Sequence, residues 1–355
     1  MTATGSYNLG DEIILREELK FLHGHYGEMV DFTVFTHDKK SALFQDDSIS
    51  WATYFPHAFW SNPFANIWYL IMNIWRIARA DILIVGWGGL IFDNEDGVSF
   101  DTLLSQWYFR TKIARLAGTT LVYLGISLEV KQVKNKMSLR KLFQKGDFII
   151  VRDAKSAWLL EALEIPCSQI PDLAFLLTPE KAEKLPPKKR VGISIRGGFF
   201  WDNEEEIPKI YDYLIEKWYD PVFLLHTTEW YESQNDAIYI KRLMTWRTYN
   251  TTNTIEQSLK LYPTLYAVVW MRLHAGVLAC VHSLPLIMIS YWQKTEEMIS
   301  LIDNAGYTLS PEKVSVSTFA KMWEDLEIHH DGLVAKMTER YNTIRSDLVS
   351  KMRNL

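Results

Sequence analysis

The chain has 355 residues, 48% of them hydrophobic and 23% charged, with a net charge of −5. That length suits two domains, and that balance suits a globular chain rather than a disordered one or a bulk nucleic-acid binder. The two cysteines, Cys167 and Cys280, lie far apart in apolar surroundings. They exclude a disulfide framework or a CxxC metal site and read as core thiols of a reducing compartment.

In chain order, the start lacks the basic, apolar and small-residue series of a signal peptide, which points to the cytoplasm. A first strand is confined to Thr2–Thr4. Asn8-Leu9-Gly10-Asp11-Glu12 then precedes an apolar helical run from Ile13 to Leu22. Asn8 or Asp11 suits a helix cap, and Gly10 would let a ligand approach the backbone. Val30–Phe35 reads as a strand. Residues 54–80 hold an apolar stretch after Pro63, interrupted by Asn66, Asn73 and Arg76. It is too short and polar to span a bilayer and reads as a buried helix. The other reading is an aromatic, Arg-ended surface helix making peripheral contact with the inner face of a membrane.

Asp81–Val85 is a clear strand, ending in Gly86-Trp87-Gly88-Gly89. The glycines lack GxGxxG spacing and read as a tight strand-to-helix turn, where Gly88 and Gly89 would also admit a sugar. Asp93, Asn94, Glu95 and Asp96 follow as a solvated acidic loop. Phe100–Ala117 reads as helix and Thr120–Leu124 as a strand closed by Gly125. Phe148–Val151 is a strand ending in Arg152-Asp153, and Ala154–Leu163 is a helix that Asp153 suits as a cap.

Residues 178–190, TPEKAEKLPPKKR, break the pattern and read as a linker, dividing the chain into domains 1–178 and 179–355. Strand–helix alternation restarts with Val191–Ile195, which ends in Arg196-Gly197-Gly198. Glu204–Trp218 is a helix, and Val222–Leu225 is a strand ending in His226. Leu265–Trp270 ends in Arg272 and His274, and Leu286–Ile289 ends in Ser290-Tyr291. Helix follows from Phe319 onward. Such alternation predicts two Rossmann-like, doubly wound α/β domains, expected to face each other across a cleft. Ligands in such sheets bind beyond the carboxyl ends of the strands.

MRLH, Met271 to His274, lies where a buried strand meets a helix start. Helix-start N–H groups favour an anion, Arg272 offers a fixed charged fork, and His274 can carry a proton near neutral pH. A capping arginine and a packed histidine would give the same residues. Arg196 is a second cation from a separate strand end, suited to a ligand with two anionic groups. Lys294, near another helix start, is a third.

NLGDE, ADILIVGWGGLIF, VRDAKS, IPDLAF, GISIRGG and MRLHAGVLA with SLPLIMISYWQK together resemble the polysaccharide pyruvyl transferase family over most of the chain. The resemblance implies a GT-B-like fold and transfer of pyruvate from phosphoenolpyruvate to a sugar as a ketal, with no cofactor and no metal. It implies that the second domain holds phosphoenolpyruvate and the first the sugar acceptor, lipid-linked or not. It matches Arg272, Leu273 and His274 to an Arg-Leu-His element, with His274 in proton transfer, and Arg196 to the arginine after the first strand of the second domain. Tyr291 and Lys294 match the Tyr and Lys after a late strand. Gly88, Gly89 and Asn8 complete the candidate set. The chain departs from the family at Trp87, where a glycine is usual, and at Ser283-Leu284, where a glycine usually precedes the proline. A nucleotide-sugar glycosyltransferase and a non-catalytic glycan-binding protein on the same scaffold stay open as alternatives.

Overall fold

The computed structural model describes residues 7–27, 30–36, 49–53, 63–93, 99–144, 147–182, 184–197, 203–228, 235–290, 293–303 and 307–353. The expected strand Thr2–Thr4, Tyr291, and Asn94, Glu95 and Asp96 of the expected acidic loop lie outside them. The chain forms two units: Met1–Ser6 with Ile14–Leu173 and Lys351–Leu355, and Tyr7–Ile13 with Ala174–Ser350. The division after Leu173 falls a few residues before the expected boundary. The N-terminal segment Tyr7–Ile13 counts with the second unit rather than the first.

Helix α1 (Leu9–Tyr26) begins in the second unit and continues in the first. The first unit then runs through β1 (Phe32–Thr36), β2 (Ile49–Thr53), α2 (Pro63–Arg79), β3 (Ile82–Phe92), α3 (Phe100–Ala117), β4 (Thr120–Glu129), α4 (Val133–Leu142), β5 (Phe148–Val151), α5 (Ala154–Ala162) and β6 (Ser168–Gln169). Its strands form a parallel sheet of order β3-β4-β5-β6 and a separate parallel pair, β1-β2. Local signals set α3: Ser99 caps it by accepting from Thr102 N–H, and Gly118 ends it at φ 80. Asp153 caps α5 in the same way, accepting from Ser156 N–H at 2.7 Å.

Four expectations for this unit are corrected. The glycines Gly86, Gly88 and Gly89 do not turn the chain into a helix. β3 runs through them to Phe92, with Trp87 at φ 35, Gly88 at φ 84 and a register shift before Ile91. A glycine-rich stretch can be absorbed as a bulge when neighbouring strands supply the remaining ladder bonds. β4 likewise continues past Gly125, at φ 65, to Glu129. Asp93 does not sit in a solvated loop; it ties β3 to α4 by accepting from Lys131 and Gln132 N–H at 2.6 and 2.8 Å and from Asn135 Nδ2 at 2.5 Å. Nor is α2 a buried helix: Phe64, Trp68 and Trp75 are 83%, 62% and 52% exposed.

The second unit continues with β7 (Arg190–Ser194), α6 (Glu206–Glu216), β8 (Asp220–Phe223), α7 (Asp236–Leu243), β9 (Asn250–Thr251), α8 (Ile255–Leu261), β10 (Leu265–Trp270), α9 (Leu273–Val281), β11 (Leu286–Ile289), α10 (Gln293–Ile302), β12 (Thr308–Leu309) and the 38-residue α11 (Val316–Arg353). The six strands are all parallel in the order β12-β11-β10-β7-β8-β9. This is the doubly wound order, in which the winding reverses between the first and fourth strands of the unit, here β7 and β10. Both strands are central, and β10 and α9 are apolar because each is covered on both sides. Gly276 lets α9 lie directly on the sheet: a Cβ there would stand 2.5 Å from the Trp270 ring. Cys280 is buried in this core, and burial pushes its thiol up to about 12.

Candidate active site

The reversal between β7 and β10 places two arginines side by side in register. Ser194, the last residue of β7, pairs with Trp270, the last of β10, and Met271 N–H donates to the Ser194 carbonyl at 2.8 Å. Arg196 and Arg272 each stand two residues beyond that pair. Neighbouring strands are about 4.8 Å apart, so both guanidinium stems leave the same end of the sheet. Arg272 is also the N-cap residue of α9, with φ −71 and ψ 126. It makes no side-chain cap bond, and the positive end of the α9 dipole adds to its charge.

Arg272 is held by a residue the sequence did not reveal. Asp236, whose side chain is 1% exposed, accepts from Arg272 Nε at 3.1 Å and from its Nη2. The other oxygen of the same carboxylate accepts from the backbone N–H groups of His226 and Thr227 at 2.9 and 3.0 Å. Burial pushes the Asp236 carboxyl above its ordinary value, opposed by the Arg272 guanidinium and by those two N–H groups. In sequence, Asp236 looks like an ordinary acid in the first turn of α7. Only the return of β8 beside it gives it this second task.

His226, which follows β8, is enclosed in the core of the second unit. It is 2% exposed and shares a 2.8 Å hydrogen bond between Nε2 and the Tyr262 hydroxyl. Burial, then the charges of Arg272 and His274, hold its imidazole well below the ordinary histidine range, so it stays neutral.

His274 lies in the first turn of α9, against the start of α1. A Cβ on Gly10 would come within 1.8 Å of His274 Nδ1, so the ring occupies the space that the glycine leaves. Backbone bonds fix that start. Asn8 forms an antiparallel bridge with Thr227, Leu9 N–H donates to the His226 carbonyl at 2.8 Å, and Thr228 N–H donates to the Tyr7 carbonyl at 3.0 Å. Asn8 Oδ1 accepts from Gly10 N–H at 3.0 Å, a local turn that opens the helix. Gly197 is also shaped by a neighbour: a Cβ there would meet the Tyr239 ring at 2.9 Å.

Of the predicted set, the structure brings Asn8, Arg196, Arg272, Leu273 and His274 to one end of the second sheet. Gly88 and Gly89 lie on β3 in the first unit. Lys294 lies in the first turn of α10, and Tyr291 falls outside the described residues. Arg152, at a comparable strand end in the first unit, is bonded to Ser127 Oγ at 2.8 Å and Asp172 at 2.7 Å. Among the described residues no group of three or more His, Cys, Asp or Glu side chains could hold a metal ion.

Comparison with known proteins adds the family. The family model for polysaccharide pyruvyl transferase matches residues 8–293. No curated protein matches the sequence at a significant level. Among solved structures, a protein described as a UDP-N-acetylglucosamine 2-epimerase from Listeria monocytogenes aligns with TM-score 0.56 and 13% identity, over 97% of this chain and 94% of its own. Os79 from O. sativa, solved with UDP and deoxynivalenol-3-glucoside, aligns with TM-score 0.53 and 10% identity over 97% of each chain. WaaG, a glycosyltransferase involved in lipopolysaccharide biosynthesis, aligns with TM-score 0.51 and 9% identity, over 100% of this chain and 96% of its own. At these identities the likeness speaks for the fold alone, a GT-B-like fold with Rossmann-like units.

Proposed function

The chain belongs to the polysaccharide pyruvyl transferase family, and from that premise we propose that it moves pyruvate from phosphoenolpyruvate onto a sugar as a ketal, releasing phosphate. The observation that carries the proposal is the matched placement of Arg196 and Arg272 beyond the Ser194–Trp270 pair, with His274 in the following helical turn. Phosphoenolpyruvate has a phosphate and a carboxylate, and two arginines from adjacent strand ends suit two anionic groups on one small molecule.

In this reading Arg272 and the α9 N-terminus hold one anionic group and Arg196 the other. His274, as imidazolium, delivers a proton to the methylene carbon, and positive charge develops at C2. A sugar hydroxyl adds there, the C2–O bond to phosphate breaks, and a second hydroxyl closes the ketal. One hydroxyl proton replaces the proton given up by His274, and the other leaves with phosphate, so the ring is reset. The protein's contribution is positioning and charge stabilisation. Asp236 keeps the Arg272 fork oriented, and Gly10 leaves room for the His274 ring.

The test is to incubate the full chain with phosphoenolpyruvate and a panel of glycan acceptors, following phosphate release and acceptor mass. A pyruvate ketal on one acceptor, with phosphate released only in its presence, is the expected result. Thermal stabilisation by a nucleotide sugar and not by phosphoenolpyruvate, with no ketal formed, would overturn the reading.

A further inference from the structure

Helix α2 turns its apolar stripe outward. Phe64, Ile67, Trp68, Ile71, Ile74 and Trp75 are 83%, 54%, 62%, 54%, 37% and 52% exposed. At roughly 100° per residue these six positions fall within an arc of about 120°. The opposite side is the buried one. Ile77 is 2% exposed there, and Asn73, 6% exposed, donates from Nδ2 to the Thr53 carbonyl at 2.9 Å. A helix whose polar side chain is tied inward while its tryptophans face out inverts the usual arrangement of a surface helix.

The charge on α2 is also one-sided. It has no acidic residue, and its last turn carries Arg76 and Arg79 in a chain whose net charge is −5. The Arg79 guanidinium lies 4.9 Å from the Trp75 ring centroid, beside the stripe. A contiguous apolar face of this size marks an interaction surface. Exposed tryptophans with cations at the rim fit the headgroup region of an anionic bilayer, where indoles sit at the boundary and arginines meet phosphates. The helix has 17 residues, and no helix among the described residues is long and apolar enough to cross a membrane. It therefore suits lying in the plane of the surface.

We propose that α2 docks the first unit onto a membrane rich in anionic lipid, its Phe64–Trp75 stripe entering the acyl boundary and Arg76 and Arg79 pairing with lipid phosphates. The proposal rests on this surface and not on the pyruvyl-transfer reading, so its test reads binding rather than turnover.

The full chain would be sedimented with vesicles of phosphatidylcholine alone and of phosphatidylcholine with phosphatidylglycerol. Binding to the anionic vesicles is expected, weakened by salt. The double variant W68S/W75S should weaken it about tenfold or more. R76Q and R79Q should each weaken it about fivefold, on the anionic vesicles only. Trp246, 99% exposed on the second unit, provides the control, and W246S should bind as the parent does. These side chains project from the surface, so circular dichroism of the variants should match the parent. Absence of vesicle binding, or binding that W68S/W75S leaves unchanged, would overturn the proposal. So would a dimer that W68S/W75S dissociates in a chain that ignores vesicles, because a second copy would then cover the stripe.

Discussion

Arg152 and Arg272 make an instructive pair. Each follows the end of a parallel strand, each precedes a helix, and each holds a buried carboxylate, Asp172 in the first unit and Asp236 in the second. Arg152 is also bonded to the Ser127 hydroxyl, and its carboxylate partner lies on the segment after β6. It closes a structural link between neighbouring loops. Around Arg272 the balance differs: Arg196 leaves the adjacent strand, His274 follows in the same helix start, and the α9 dipole points its positive end there. A buried ion pair is therefore not what marks a site. What sets this end of the second sheet apart is that Arg196, Arg272 and His274 are brought together where the winding of the sheet reverses.

The strongest way to break this comparison is to remove both arginines in turn. Arg272→Ala and Arg152→Ala each leave a buried carboxylate without its partner, at a cost of about 3–5 kcal/mol. Denaturant melts should show similar losses, but only Arg272→Ala should also abolish ketal formation by the molecules that remain folded. Equal turnover in the two variants would end the distinction. His274→Ala isolates the chemistry from the packing. Turnover should fall about 10²–10⁴-fold, as for loss of a general acid, with little change in unfolding midpoint. Gly10→Ala tests the same ring from the other side. Its Cβ would collide with His274 Nδ1, so overpacking of about 1–3 kcal/mol is expected together with reduced turnover.

Acid sensitivity sharpens the contrast on the stability side. Burial holds His282 down at about 4, and burial first, then Arg272 and His274, holds His226 well below its ordinary value. Both histidines bind protons more readily when unfolded. The stability they contribute is thus present above the unfolded pKa near 6.5 and is lost as pH falls towards the folded values. Between pH 7 and pH 5 His282 alone accounts for about 2 kcal/mol. Melts across that range should show the second unit losing stability, and His282→Asn should flatten the dependence. The smallest expected effect concerns Ser283, which has φ 56 in the turn leaving α9. Glycine tolerates that backbone and serine is strained in it, so Ser283→Gly should stabilise by about 0.5–1 kcal/mol. A loss of stability instead would mean that the serine side chain makes a compensating contact.

Where an element depends on its own residues, the sequence anticipated it closely. Phe100–Ala117 has its bounds set by Ser99 and Gly118. The short apolar runs Phe148–Val151, Leu265–Trp270 and Leu286–Ile289 are strands with those bounds, because central parallel strands are buried on both faces and read as continuous apolar segments. The order of strands and helices was enough to expect a doubly wound fold and to look for cations at strand ends. That reasoning pointed to Arg196, Arg272 and His274, which the structure places at one end of the second sheet. It could not find Asp236, because a carboxylate in a helix's first turn has an ordinary local explanation.

What the tertiary structure decided is what depends on neighbours distant in sequence. Gly86 to Gly89 look like a turn until β4 supplies the pairing that carries β3 through them. The residues of α2 look like core, since burial is a property of what lies opposite a face and not of the face itself. Gly10 looks like one more flexible position until His274 is set against it. Local propensity and periodicity are written in residues a few positions apart. Pairing, burial and close approach are set by contacts that form only once the sheet has brought distant segments together.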